Sequence, residues 1–176
     1  MIRCGWLGAW LIAWPALAAE YSVTDYEEPG GFSLALVRSL DGEVYGGGLE
    51  SGVWWRGTPV FGEIFGHWLS NKLQGGNYYS IGMNLRLMPH ARLAPFAGVG
   101  GSYNGLVSEH RSTAWLDESF RPADSRYWNG FAEAGVRYWL RPGRTFFFEA
   151  GYRRHWTDTG TDFDYDWISI EYGQLF

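Results

Sequence analysis

On an extended strand, side chains two residues apart project from the same face, so an imidazole and a hydroxyl at that spacing form the minimum of a general base and a nucleophile. His155 and Thr157 make such a pair in the run Tyr152-Arg153-Arg154-His155-Trp156-Thr157-Asp158. Asp162, Asp164, Asp166 or Glu171 would have to orient the imidazole. His67 and Ser70 are a further match, but their spacing of three puts them on opposite faces. Asp158, Asp162, Asp164 and Asp166 could offer oxygens to a divalent cation, yet the segment lacks the glycine and closing glutamate of a calcium loop, and a solvated acidic loop is the plainer reading. His67, His90, His110 and His155 have no metal-ligand spacing. With no phosphate loop, CxxC, H-E-x-x-H or G-x-S-x-G, neither a cofactor nor a metal is expected.

The elements that would carry these residues are strands. After residue 19 there is almost no helical period; segments of about ten residues alternate with period two and are broken by Gly, Pro, Asn and Asp. Strands are expected near 32–39, 43–56, 59–70, 77–88, 92–108, 127–140, 145–157 and 166–176. The connections at 56–59, 88–91 and 141–144 are tight turns, whereas 71–76, 109–126 and 158–165 are longer and polar; only the first hairpin, at 40–42, is short where a long loop would be expected. Short turns at one end and long loops at the other is the asymmetry of a transmembrane β-barrel.

Each strand has an apolar face and a charged face. Glu63, Asn84, Arg86, Glu133, Arg137, Glu149, Arg153 and Glu171 fall on charged faces, opposite runs such as Ile81-Met83-Leu85-Leu87 and Phe146-Phe148-Ala150-Tyr152. A soluble barrel would turn the charges outward and a membrane barrel inward, and periodicity alone does not decide. The aromatic residues do: there are eleven each of Trp, Tyr and Phe. Trp68, Tyr78, Tyr79, Trp128, Trp156 and Trp167 fall at the long-loop end; Trp54, Trp55, Trp139, Phe146, Phe147 and Phe176 fall at the short-turn end. The eleven residues from Trp128 to Trp139 cover about 36 Å of strand, or roughly 25 Å of height when tilted. That is the height of an outer-membrane apolar band flanked by two aromatic girdles. The lumen of eight strands is wide enough only for side chains, so the four glutamates and three arginines are expected to pair as an ionic plug rather than line a pore or proton path.

Residues 1–19 carry Arg3, an apolar run from Trp6 to Trp14 and then Pro15-Ala16-Leu17-Ala18-Ala19, the pattern of a cleavable signal peptide. The barrel domain is then 20–176. The single cysteine, Cys4, lies in the leader, so no disulfide is expected. Loss of Arg3 leaves 13 basic against 19 acidic residues, a balance that excludes a nucleic-acid binder.

The whole mature chain resembles in pattern the small eight-stranded outer-membrane barrels of the OmpA/OmpX kind. A terminal Phe176 after alternating Ile168, Ile170 and Tyr172 is similar to the signal read by the barrel-assembly machinery. The resemblance implies a monomer in contact with outer-membrane lipid and lipopolysaccharide, with a structural or surface-interaction role carried by its outer loops, the longest being 109–126. Arg111 and Arg154 could contact lipopolysaccharide phosphates. Locally, His155-x-Thr157 resembles the His-x-Ser of the lipid A 3-O-deacylases, and Pro95-Phe96-Ala97-Gly98-Val99-Gly100 resembles a strand of that family; Thr157 stands where the family has serine and Asp158 where it has asparagine. The alternatives are therefore a deacylase-like esterase using His155 and Thr157 at the outer rim, and a soluble lipocalin-like binder with its charged face outward.

Overall fold

A sheet with a free edge leaves backbone N–H and C=O groups unpaired, which hydrocarbon does not tolerate; closing the sheet removes the edge. The computed structural model describes residues 30–72, 76–89, 91–109, 126–140, 146–157 and 165–175. It has eight strands: β1 (Gly30–Ser39), β2 (Val44–Trp54), β3 (Val60–Asn71), β4 (Gly76–Leu87), β5 (Leu93–Glu109), β6 (Arg126–Trp139), β7 (Phe146–Thr157) and β8 (Tyr165–Leu175). Each pairs antiparallel with its chain neighbours, and β1 pairs with β8 to close the barrel. All eight expected strands are present, with bounds shifted by at most two residues. The leader 1–19, Phe176 and most of the 109–126 loop lie outside the described residues.

The first hairpin is held by local chemistry. Gly42 takes φ of 76°, a conformation other residues rarely adopt. The Ser39 hydroxyl donates to the Asp41 carboxylate, which also accepts the Glu43 N–H at 2.9 Å. These bonds hold the Asp41 carboxyl below its ordinary pKa, the Ser39 hydroxyl being the larger cause.

Burial alternates along the strands, and on β2, β3, β4, β6, β7 and β8 the buried face is the charged one. The interior is layered. Trp54, Phe61, Met88, Ala94, Phe96, Trp139 and Phe147 pack together at the short-turn end. Val37, Val44, Leu69 and Trp167 cluster at the loop end. The charged residues lie between the two.

This corrects the expected girdles. Trp54, Trp139 and Trp167 are at most 4% exposed, and Tyr78 and Phe147 are also buried. Their height along the strands suits a girdle, but height does not determine the face. Trp139 shares parity with Glu133 and Arg137, Trp167 with Glu171, and Trp54 with Glu50, so all three point inward. Trp55, Trp68, Trp128 and Trp156 are exposed on the outer face, and Tyr79 and Phe146 are half-buried there.

Space for the interior aromatics comes from glycines directly across the ladder. Phe65 faces Gly82, Phe96 faces Gly135, Phe131 faces Gly100 and Phe147 faces Gly173. A Cβ on any of these glycines would run into the ring of its partner. Gly66, on the outer face, has nothing within 4 Å of its Cβ position. Gly135→Val should therefore destabilise the barrel by about 1–3 kcal/mol through overpacking, while Gly66→Ala should stay within about 0.5 kcal/mol. Urea unfolding of the two variants in detergent micelles checks both.

Candidate functional site in the barrel lumen

The largest concentration of chemically active groups among the described residues lies inside the barrel, and strand register assembles it. Arg137 stands opposite Glu149 and Glu133 opposite Arg153 on the β6–β7 ladder, and Glu63 stands opposite Asn84 on β3–β4. Arg86 on β4 and Glu133 on β6 are both register partners of Gly98 on β5. A Cβ at Gly98 would lie 2.9 Å from Arg86 Cγ and 3.1 Å from Glu133 Oε1, so the glycine lets the two charges meet across an intervening strand.

Arg86 is the hub. Its Nε donates to Glu133 Oε1 at 2.6 Å and its Nη1 to Glu149 Oε1 at 2.8 Å, while Nη2 lies 3.0 Å from Glu63 Oε2. Arg137 Nε donates to Glu149 Oε2 at 2.6 Å, and Arg153 Nη2 lies 2.8 Å from Glu133 Oε2. Asn84 Nδ2 donates to both Glu63 and Glu133. Each arginine also lies over aromatic rings: Arg153 is 4.2 Å from the Phe131 centroid and 5.2 Å from that of Trp167, and Arg137 is 4.0 Å from Phe147 and 4.7 Å from Phe61. Charge-assisted hydrogen bonds and ring faces together offset the cost of taking three guanidinium groups out of water.

The structure brings together every residue expected in the ionic cluster (Glu63, Arg86, Glu133, Arg137, Glu149, Arg153 and Glu171) and adds two more. Glu50 is buried on β2, and His67 Nε2 lies 2.8 Å from Glu50 Oε1. His67 shares parity with Glu63 on β3, a signal that was available. Glu50 sits among Gly46, Gly48 and Gly52, which carry no side chains to reveal which face is charged.

His155 is 1% exposed and faces the lumen. Its ring packs on Trp167 and Phe131, with centroids at 4.2 and 5.3 Å. Its parity with Glu149 and Arg153 points the same way: the imidazole is behind the barrel wall at the loop end, where an ester in a surrounding bilayer does not reach it. Thr157 ends β7, and its side chain lies outside the described residues. Of the four clustered aspartates, Asp158, Asp162 and Asp164 also lie outside them. Asp166 is on the outer face and pairs with Arg154 at 2.9 Å.

One oxygen from each of Glu50, Glu63 and Glu171 lies within 4.8 Å of the others, the geometry of a cation site. Arg86 Nη2 already takes the cation's place, at 4.0 Å from Glu50, 3.0 Å from Glu63 and 4.0 Å from Glu171. A gap lined by Glu50, Glu63, Arg137 and Phe147 has no room for a water molecule.

A closed ring of eight antiparallel strands, charged and packed within and apolar without, is the architecture of the small outer-membrane β-barrels. Solved structures share the fold. The N-terminal β-barrel domain of Pseudomonas aeruginosa OprF superposes with a TM-score of 0.61 at 12% identity, covering 84% of this chain and 97% of that one. Neisserial surface protein A superposes with a TM-score of 0.50 at 16% identity, covering 84% and 94%. No family model matches the sequence, and no curated protein matches it.

Removing the hub while leaving its partners should be costly. Arg86→Met strands Glu133, Glu149 and Glu63 without their shared cation and should destabilise the barrel by about 3–5 kcal/mol. The double variant Arg86→Met with Glu133→Gln should lose less than the sum of the single changes, because coupled partners are not additive. A double-mutant cycle by urea unfolding measures this.

Proposed function

We propose that the chain is an integral outer-membrane protein with a closed lumen, which acts through its outer loops and performs no catalysis. The observation that carries this reading is the reversed polarity of the wall. Leu34, Leu36, Leu49, Ile64, Ile81, Met83, Val99 and Ile170 project outward, each at least 58% exposed. Among the described strand residues, the outward charges are Arg38, Arg126, Arg154 and Asp166, all at the loop end. An apolar surface that encircles the molecule far exceeds the patches of a few hundred Å² that soluble monomers expose. A lipocalin-like binder would need the opposite arrangement.

The outer face also carries its own aromatic girdles. Trp68, Tyr79, Tyr103, Trp128 and Trp156 ring the loop end, and Phe32, Trp55, Tyr138, Phe148 and Tyr172 ring the turn end. The ten residues from Trp128 to Tyr138 span about 33 Å of strand and, at the usual tilt, roughly the 25 Å of an outer-membrane band. In this reading residues 1–19 direct export and Phe176 addresses the barrel-assembly machinery. The barrel is a monomer bathed in outer-membrane lipid, and Arg154, beside Trp156, meets lipopolysaccharide phosphates. Binding is left to the long outer loops, foremost 109–126.

The test is to express the full chain in a Gram-negative host. The protein should fractionate with the outer membrane, run as a heat-shifted band on gels, and give no conductance steps in planar bilayers. Recovery as a soluble periplasmic protein, or a stable open conductance, would overturn the reading. At the middle of the band, Met83→Arg should cost about 2–4 kcal/mol in urea titrations of the barrel folded into vesicles.

A further inference from the structure

Among the described residues, the lumen holds five buried glutamates, Glu50, Glu63, Glu133, Glu149 and Glu171, against three buried arginines, Arg86, Arg137 and Arg153. Among the described side chains, the remaining strands, β1 and β5, contribute only uncharged groups to this interior, such as Ser33 and Ser102. The cations are shared unequally. Glu133 holds Arg86 and Arg153, Glu149 holds Arg86 and Arg137, and Glu63 holds Arg86 with Asn84.

Glu50 and Glu171 are left at the edge of the network. Each comes no closer than 4.0 Å to a guanidinium nitrogen, and neither Glu50 Oε2 nor Glu171 Oε1 takes part in a hydrogen bond. Their other oxygens meet His67 Nε2 at 2.8 Å and the Ser33 hydroxyl at 3.4 Å.

Two buried carboxylates so weakly compensated need a further positive charge. A metal ion is disfavoured, because Arg86 Nη2 stands where it would bind and the adjoining gap does not admit even a water. A protonated His67 would need an acceptor at Nδ1, and that atom has none. We propose that Glu50 and Glu171 form a proton-binding site, loaded when the barrel folds and sealed by the aromatic layers above and below.

The folded chain then binds more protons than the unfolded chain, so stability falls as pH rises. For each proton held, the unfolding constant should increase tenfold per pH unit. The informative window is about pH 7.5 to 9, above the ordinary histidine range.

The experiment is urea unfolding of the refolded barrel in detergent micelles across that window, together with infrared spectroscopy of the folded protein. The wild type should show the tenfold slope and a neutral-carboxyl C=O band. Glu50→Gln and Glu171→Gln each supply a neutral stand-in, and should flatten the slope and remove or weaken the band. Glu149→Gln should lower stability while keeping the slope. A wild type with neither slope nor band overturns the proposal, and the infrared reading stands even if a variant fails to fold. A stability independent of pH but lowered by a chelator would also overturn it, replacing the proton with a metal ion.

Discussion

Everything in this molecule follows from the need to compensate charge inside a wall whose outside is apolar. Arg86 meets that need at the centre of the lumen. It reaches Glu133, Glu149 and Glu63, which belong to three other strands, and so ties opposite sides of the barrel through a single guanidinium. The planar fork of arginine makes this possible; a lysine ammonium is a point charge and would not span the same partners. Arg137 and Arg153 extend the network toward the two ends, where rings cover them and keep the charges from water.

Such a network fits only because the rest of the interior is small where it must be. Eight strands enclose little volume. The absence of a side chain at Gly98 opens the path between Arg86 and Glu133, and glycines opposite Phe65, Phe96, Phe131 and Phe147 receive the rings. Aromatic residues placed on cross-strand glycines also fix the register, since a shift of one residue would put ring against backbone and reverse every face. The ionic and aromatic layers are thus one packing solution.

Much of this was legible from the chain. Period-two alternation locates all eight strands, and the parity of Glu133, Arg137, Glu149 and Arg153 marks the charged face without knowledge of the register. The aromatic girdles were only half legible. Trp54, Trp139 and Trp167 stand at the right height, but parity turns them inward, and distance along a strand does not report which way a side chain points. Glu50 is not legible, because the glycines of β2 erase alternation. The pairing of Arg86 with Glu133 was beyond reach, since it runs across β5 and depends on the stagger of three strands. His155 shows the converse: a motif that suggests chemistry when read as a string becomes an interior packing residue once the wall has a defined inside.

The central claim is that the apolar face of the wall meets lipid and the charged face does not. Tryptophan fluorescence in vesicles containing brominated acyl chains tests it most directly. Two variants suffice, one keeping Trp128 as the only tryptophan of the folded barrel and the other keeping only Trp139. Trp128 should be strongly quenched and Trp139, whose side chain is enclosed with Arg137 and Phe147, almost not at all. Quenching of Trp139 as strong as that of Trp128 would contradict it.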